Sequence, residues 1–335
     1  MRQLPFLFML IFMLACSRQP EGNIITVNGI IPPQALGKTL EHEHILVDFS
    51  GAENYHPENY NRQEAFNRIL PELEKLKHHG VQSFIACTPQ FVGRDVVLLK
   101  NLADATGLNI LTNTGFYGAQ NNKFIPKHVF DMPAEAIAAF YIAEFEQGIE
   151  ASGVRPGFIK TAVDRKPLSN FHVKLVRAAA IAHKATGLTI MSHTGPALPA
   201  FQQLKILSAE GVAPEAFIWT HASDEEDWTK LVTAAQMGAW ISLDKYGWDE
   251  EFLKGEVLGY LKKQGVLDKV LISHDAGWYD PNQPGKTIQP YTPIFETLIP
   301  NLKANDFTAA DIDQLLIHNP AKAFTVTKRL ISQSN

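Results

Sequence analysis

The chemistry-bearing residues of this sequence are histidines, one lysine and one aspartate, placed at the ends of apolar segments. Glu41-His42-Glu43-His44 puts two imidazoles two residues apart, which in an extended strand brings both to one face as a chelating pair. Taken alone, the pair fits a solvated polar strand end equally well. Ser192-His193-Thr194, Thr220-His221-Ala222 and Ser273-His274-Asp275 close three further apolar runs. Phe158-Ile159-Lys160-Thr161-Ala162 embeds a lysine among apolar neighbours. Such a lysine either extends its ammonium to water or is neutralised. Burial favours the free amine, and a free amine can take up carbon dioxide to give an anionic carbamate able to ligate metal. One such residue is weak evidence, but matching residues at several strand ends make coincidence a poor explanation. His78, His79 and His183 fall in helical or loop segments and read as surface residues.

Imidazole and carboxylate donors without cysteine suit zinc first, with manganese, cobalt or iron(II) as alternatives. A carbamate on Lys160 would bridge two divalent ions about 3.5 to 4 Å apart, with Asp275 and a water completing the shell. Two such ions against one carboxylate, one carbamate and one hydroxide leave a slightly electrophilic centre that attracts a carbonyl or phosphoryl oxygen.

The elements that must position these groups repeat as a helical segment, a glycine, then a short apolar strand. The glycines are Gly80, Gly107, Gly187, Gly211, Gly238 and Gly265, each suited to the left-handed position after a helix. Strands are expected over Thr39–Val47, Val81–Thr88, Leu108–Thr114, Gly157–Val163, Leu188–Thr194, Phe217–Ala222, Ala239–Lys245 and Lys269–Asp275. Helices are expected over segments such as Phe66–Lys77, Val96–Ala105, Ala134–Ile149, Val173–Ala185 and Phe201–Ala209, from apolar spacing of three and four. Eight such units predict an α/β fold, a (β/α)8 TIM barrel, in which residues at the C-terminal strand ends face the active-site mouth. An open doubly wound sheet fits less well, because no glycine-rich phosphate loop follows the first strand. Asn28-Gly29 between apolar runs predicts a short N-terminal β-ribbon with a type I′ turn, capping the barrel floor.

The chain has 335 residues, 45% hydrophobic, with a formal charge of -5. That is ample for a packed core and argues against disorder. Scattered Lys and Arg offer no basic footprint, so no nucleic-acid partner is expected. Leu4 to Ala15 form an apolar run too short to cross a bilayer, followed by Cys16 and polar Ser17-Arg18-Gln19-Pro20. Residues 1–16 thus read as a lipoprotein signal peptide with lipobox and 17–23 as a tether. The expected domain is 24–330, on an exported protein anchored to a bacterial membrane, in the periplasm or at the cell surface, by lipid on Cys16 alone. Cys87 would then be the sole remaining thiol, leaving no intrachain disulfide. A plain secretory signal is the alternative, and a homodimer is compatible with the sequence.

With these residues assembled, the sequence resembles the phosphotriesterase family of the amidohydrolase superfamily. The resemblance rests on Thr39-Leu40-Glu41-His42-Glu43-His44, Gly93-Arg94-Asp95-Val96, Phe158-Ile159-Lys160, Ser192-His193-Thr194, His221, Ser273-His274-Asp275 and Asn319-Pro320-Ala321. It implies that His42, His44 and Asp275 hold the more buried ion, that His193 and His221 hold the other, and that carboxylated Lys160 bridges them. Leu243-Asp244-Lys245-Tyr246-Gly247, with Tyr117 after Thr114-Gly115-Phe116, is similar to the lactonase branch. Lys245 stands where that branch has arginine, replacing a planar fork by a point charge. The short segment from Trp248 to Lys254 lacks the loop that shapes a channel for long acyl chains.

The expected function is hydrolysis of a lactone or related ester by a metal-bridging hydroxide, with Asp275 taking the proton and passing it to the leaving alkoxide. Lys245 and Tyr117 are expected to orient the carbonyl or ring oxygen, and Trp248, Trp278 and Tyr279 to supply an apolar wall. Phe116 and Tyr117 are expected to narrow the pocket. Phosphotriester or phosphodiester hydrolysis is the alternative within enzymes. A lipid-anchored binding protein without catalysis is the alternative outside them.

Overall fold

The structure, a computed structural model, describes residues 22–248 and 252–332. The expected signal peptide, Cys16 and most of the tether lie outside these residues. Eight parallel strands form the barrel: β1 (Thr39–Glu43), β2 (Ser83–Ala86), β3 (Asn109–Leu111 and Asn113–Thr114), β4 (Phe158–Ala162), β5 (Thr189–His193), β6 (Phe217–Thr220), β7 (Trp240–Leu243) and β8 (Val270–Ile272). Sequential strands pair in parallel from β1 to β3 and from β3 to β8. The circle closes between β8 and β1, where the Asp275 amide donates to the His42 carbonyl at 3.0 Å and the His44 amide to Ala276 at 2.8 Å. Glu43 reinforces the seam by accepting from Ser273 Oγ at 2.7 Å and from the Ala276 amide at 2.9 Å. Closure excludes the open doubly wound sheet, which would leave two edges.

Helices on the outside separate the strands: α1 (Arg62–His78), α2 (Val96–Thr106), α3 (Ala134–Gln147), α4 (Asn170–Thr186), α5 (Ala197–Ala209), α6 (Trp228–Met237) and α7 (Glu256–Lys263). Asp95 caps α2 by accepting from the Leu98 amide at 2.9 Å, satisfying one of the orphan donors of the first turn. All six glycines of the repeat have positive φ, as left-handed chain reversal after a helix requires.

Inside the barrel, alternation along each strand sends Ile85, Cys87, Leu111, Phe158, Met191, Ile218, Trp240 and Leu271 to one buried cluster. Ile24, Leu36 and Phe324 close that cluster from below, so the N-terminal ribbon (Ile24–Thr26 with Gly29–Ile31) does cap the floor. Its turn differs from expectation. Thr26 pairs with Gly29, leaving Val27-Asn28 as the central residues; neither has positive φ among the described residues, so the turn is not type I′. Asn319 pins the same end, its amide donating to the carbonyls of Leu267 (2.8 Å) and Val270 (2.6 Å).

Most strands are shorter than the apolar runs predict: β1 ends at Glu43, β2 at Ala86, β6 at Thr220, β7 at Leu243 and β8 at Ile272. His221 and Asp275 lie just beyond, at φ 57° and 54°, a left-handed geometry that ends pairing and that ordinary residues rarely adopt. His183 is also corrected. It is fully buried in α4, with Nδ1 2.8 Å from the Leu188 carbonyl and Nε2 accepting from the Arg329 amide at 3.0 Å.

Candidate metal centre

The C-terminal mouth of the barrel brings six expected ligands around one cavity: His42 and His44 from β1, Lys160 from β4, His193 from β5, His221 after β6 and Asp275 after β8. His44 Nε2 is 2.9 Å and His42 Nε2 3.6 Å from Asp275 Oδ1. Lys160 Nζ is 3.3 Å from His42 Nε2. The rings of His193 and His221 are 4.3 Å apart between centroids, and those of His42 and His221 5.1 Å. Lys160 is 1% exposed and, among the described residues, has no carboxylate within ion-pair distance.

The outer hydrogen bonds test whether this set fits metal. Nδ1 of His42 and Nδ1 of His221 each lie 2.9 Å from Asp244, on different oxygens. Nδ1 of His44 lies 2.7 Å from Thr88 Oγ1, and Nδ1 of His193 lies 2.9 Å from the Tyr117 hydroxyl. All four imidazoles therefore engage Nδ1 with the protein and leave Nε2 for a metal, the arrangement that fixes tautomer and ring direction in metalloenzymes. Donor atoms of His42, His44 and Asp275 lie within 4.8 Å of one another, as do those of His42, His221 and Asp244. Asp244 has another use in the second group: its oxygens also accept from the His221 amide and Ser242 Oγ, both at 2.9 Å. It is a clamp on two histidines rather than a ligand.

Protonation agrees. Burial, reinforced by the Lys160 charge, pushes His42 and His44 down to about 3. Burial and the neighbouring His221 hold His193 well below its ordinary value. These three imidazoles need lose no proton to bind metal at neutral pH. For His221, burial lowers the value but the charge and hydrogen bond of Asp244 outweigh it, and the net shift is upward. Asp244 is held well below the carboxylate range, since the charges and hydrogen bonds of His221 and His42 exceed its desolvation. Burial raises Asp275.

Beneath the candidate ligands, Glu41 Oε1 lies 2.5 Å from Ser242 Oγ, and burial with the nearby Asp244 charge pushes its carboxyl up to about 8. Glycine is required where loops press against the ligand strands. A Cβ on Gly115 would lie 2.0 Å from the Lys160 carbonyl oxygen, and one on Gly277 1.9 Å from that of His44.

Tyr117 lines the cavity, as expected, together with Trp278. Trp248 sits at its edge, its indole donating to the His274 carbonyl at 2.7 Å and its ring 5.3 Å from Trp278. Tyr279 is buried elsewhere and pairs its backbone with Leu46. Phe116 does not narrow the pocket, because it stacks on Phe91 and Phe140 in the core. Lys245 is outside the cavity wall: its ammonium pairs with Asp224, which also takes Arg165. The walls include residues that sequence reasoning missed, Val47, Phe49, Pro89, Val92 and Gln120. They come from loops without periodicity, so no pattern marks them. Thr88, Asp244 and Glu41 were missed as supports, although the alternating Glu-His-Glu-His signals buried carboxylates beside the ligands.

A model of the phosphotriesterase family matches residues 22–324. The chain belongs to that family. An aryldialkylphosphatase of Saccharolobus solfataricus is 31% identical over 308 residues, covering 88% of this chain and 97% of that protein. A phosphotriesterase homology protein of Escherichia coli is 28% identical, covering 86% and 98%. An N-acetyltaurine hydrolase of Xenopus tropicalis is 24% identical, covering 91% and 98%. This member of the phosphotriesterase family is a metal-dependent hydrolase, and the family's centre is binuclear.

Proposed function

We propose that the protein hydrolyses small lactones or related carboxylic esters, with His42, His44 and Asp275 around one ion, His193 and His221 around the other, and carboxylated Lys160 between them. The observation that carries the substrate reading is the cavity over the ligands. It measures about 270 Å³, below the usual range of about 300–1,000 Å³ for ligand sites, and its wall is largely apolar. Such a space suits a small, planar carbonyl group better than a bulky tetrahedral triester or a long acyl tail.

Bound there, two divalent ions would supply an activated water and a Lewis acid at neutral pH, zinc suiting the donor set best. The residues of the chain do the rest. The Asp275 carboxylate takes the proton released on attack and returns it to the leaving alkoxide. With His193 donating Nδ1–H to the Tyr117 oxygen, the hydroxyl hydrogen of Tyr117 is free to donate to the carbonyl or ring oxygen. Val47, Phe49, Pro89, Val92 and Trp278 exclude water. The enclosure of Lys160 with no carboxylate partner among the described residues supports its uptake of carbon dioxide as a carbamate.

Phosphate triester hydrolysis is a second reading, favoured by the similarity to the aryldialkylphosphatase of Saccharolobus solfataricus. A screen of the metal-reconstituted protein against lactones, aryl esters, N-acyl amides and phosphate triesters separates them. Turnover confined to triesters, or no turnover of lactones and esters, overturns the lactone reading.

The apolar run ending at Cys16 supports export and a lipid anchor, with residues 17–23 as tether. Cys16→Ser should release the protein from membranes or stall its processing; unchanged membrane fractionation overturns the anchor.

A further inference from the structure

Gln120, Asn121 and Asn122 form a left-handed turn at the mouth of the metal cavity, with φ 56°, 55° and 61° in succession. Three consecutive side-chain-bearing residues in this region are unusual, because each brings its Cβ close to the following carbonyl. Asn tolerates the geometry better than most residues, and the sequence places Asn at two of the three positions. Gln has no such advantage. Its amide is one methylene further from the backbone and, among the described residues, makes no hydrogen bond. Gln120 is instead exposed at the rim and lines the same cavity as His193, His221 and Asp275.

The turn is held from both sides. The His172 Nε2 donates to the Gly118 carbonyl at 2.9 Å, and the Asn121 amide donates to Asp164 Oδ1 at 3.2 Å. The Lys123 carbonyl accepts from the Ala52 amide at 3.1 Å, and the Lys123 ammonium reaches the Phe49 carbonyl at 2.5 Å. These bonds come from the loops after β4 and β1 and from α4, so the strained turn is imposed by its surroundings. Strain maintained in this way concentrates at functional sites.

We propose that Gln120 is a specificity-determining residue whose free amide hydrogen-bonds a hydroxyl or amide substituent on the substrate while the carbonyl sits over the metal ligands. The inference rests on the carbonyl-substrate reading above. The amide offers both donor and acceptor, whereas Val47, Phe49 and Val92 in the same wall are apolar and Trp278 brings only an indole N–H, a donor without acceptor capacity. A site built to hydrogen-bond such a group discriminates against the analogue lacking it.

The test uses the full metal-loaded chain and two lactones that differ by one ring hydroxyl. In Gln120→Gly and Gln120→Ala, the preference for the hydroxylated lactone in kcat/KM should fall by about tenfold. Gln120→Gly should also melt at a higher temperature than Gln120→Ala, because glycine relieves the positive φ. Asn122→Gly is the control: it relieves the same turn outside the cavity wall, so it should raise the melting temperature and leave the preference unchanged. A preference that survives both Gln120 variants, or falls equally in Asn122→Gly, overturns the assignment. If lactones are not cleaved, the same pair is read as competitive inhibitors of whichever ester is cleaved, with the same tenfold ratio expected, so failure of the lactone reading and failure of the Gln120 assignment remain separate.

Discussion

Asp244 Oδ2 lies 2.9 Å from His42 Nδ1 across the barrel interior, linking the end of β7 to β1 over the intervening β8. The other oxygen of the same carboxylate lies 2.9 Å from His221 Nδ1, so one fully buried side chain orients a histidine from each half of the proposed ligand set. Removing such a partner weakens metal binding by about 10- to 100-fold in metalloenzymes. Asp244→Ala should therefore lower the affinity for both ions, read by metal titration against a chelator. Loss of only one ion would show that the two histidines are oriented independently.

If Lys160 bridges as proposed, it decides whether the centre holds two ions. Protein prepared with ample metal and bicarbonate should contain about two per chain, and Lys160→Ala should abolish activity and lower the stoichiometry. Partial recovery on adding a short carboxylic acid would identify the missing group as a carbamate. Full activity in the variant would remove Lys160 from the site.

The buried acids and imidazoles make metal-free stability depend on pH in two opposed ways. Unfolded histidine titrates near 6.5, whereas His42 and His44 stay neutral in the fold down to about 3. Unfolding takes up protons in that interval, so stability falls as pH drops from about 6.5. Glu41 keeps its proton in the fold up to about 8, against an ordinary 4.5. Its unfolding releases a proton there, so its contribution is lost as pH rises from 4.5 to about 8. Below 6.5 the two histidines outweigh the glutamate; above it Glu41 and His221, which Asp244 shifts upward, both lose their contribution as pH rises. The melting temperature of the metal-free protein should peak near pH 6.5, and a flat profile between pH 4.5 and 8.5 would contradict these shifts.

The candidate residues at the strand ends were legible because a barrel strand imposes a two-residue period and a fixed exit face. Spacing put His42 and His44 on one strand face and the apolar runs put Lys160 and His193 at strand ends, but their reading as a ligand set came from the family resemblance. The supports were not legible, because Asp244 reaches His42 and His221 only once β7 lies between β6 and β8. His183 looked like a surface residue because α4 carries it near a polar end, yet Arg329 returns from the far C-terminus to cover it. Phe49 and Gln120 lie on loops whose paths depend on contacts with Lys123, Asp164 and Ala52, none of which is periodic.

In the proposed reading, substrate class turns on Tyr117 rather than on the metal-binding residues, which relatives with other substrates would share. A lactone carbonyl is planar and becomes tetrahedral on attack, so a hydroxyl beside His193 is most useful where the oxyanion or ring oxygen gains charge. A phosphate triester is tetrahedral from the start and must fit a space of about 270 Å³. We expect kcat/KM for the best short-chain or hydroxylated lactone at least about a hundredfold above that for a phosphate triester, about 2.7 kcal/mol in transition-state stabilisation. Tyr117→Phe should narrow that gap by about tenfold, with metal content measured alongside to separate lost donation from a loosened His193. Lys245, held by Asp224 outside the cavity wall, should matter less, and Lys245→Ala should change the ratio by under about threefold. A larger change would mean that Lys245 leaves Asp224 during turnover to reach the substrate. A triester preference in the unmutated protein would overturn the lactonase reading itself.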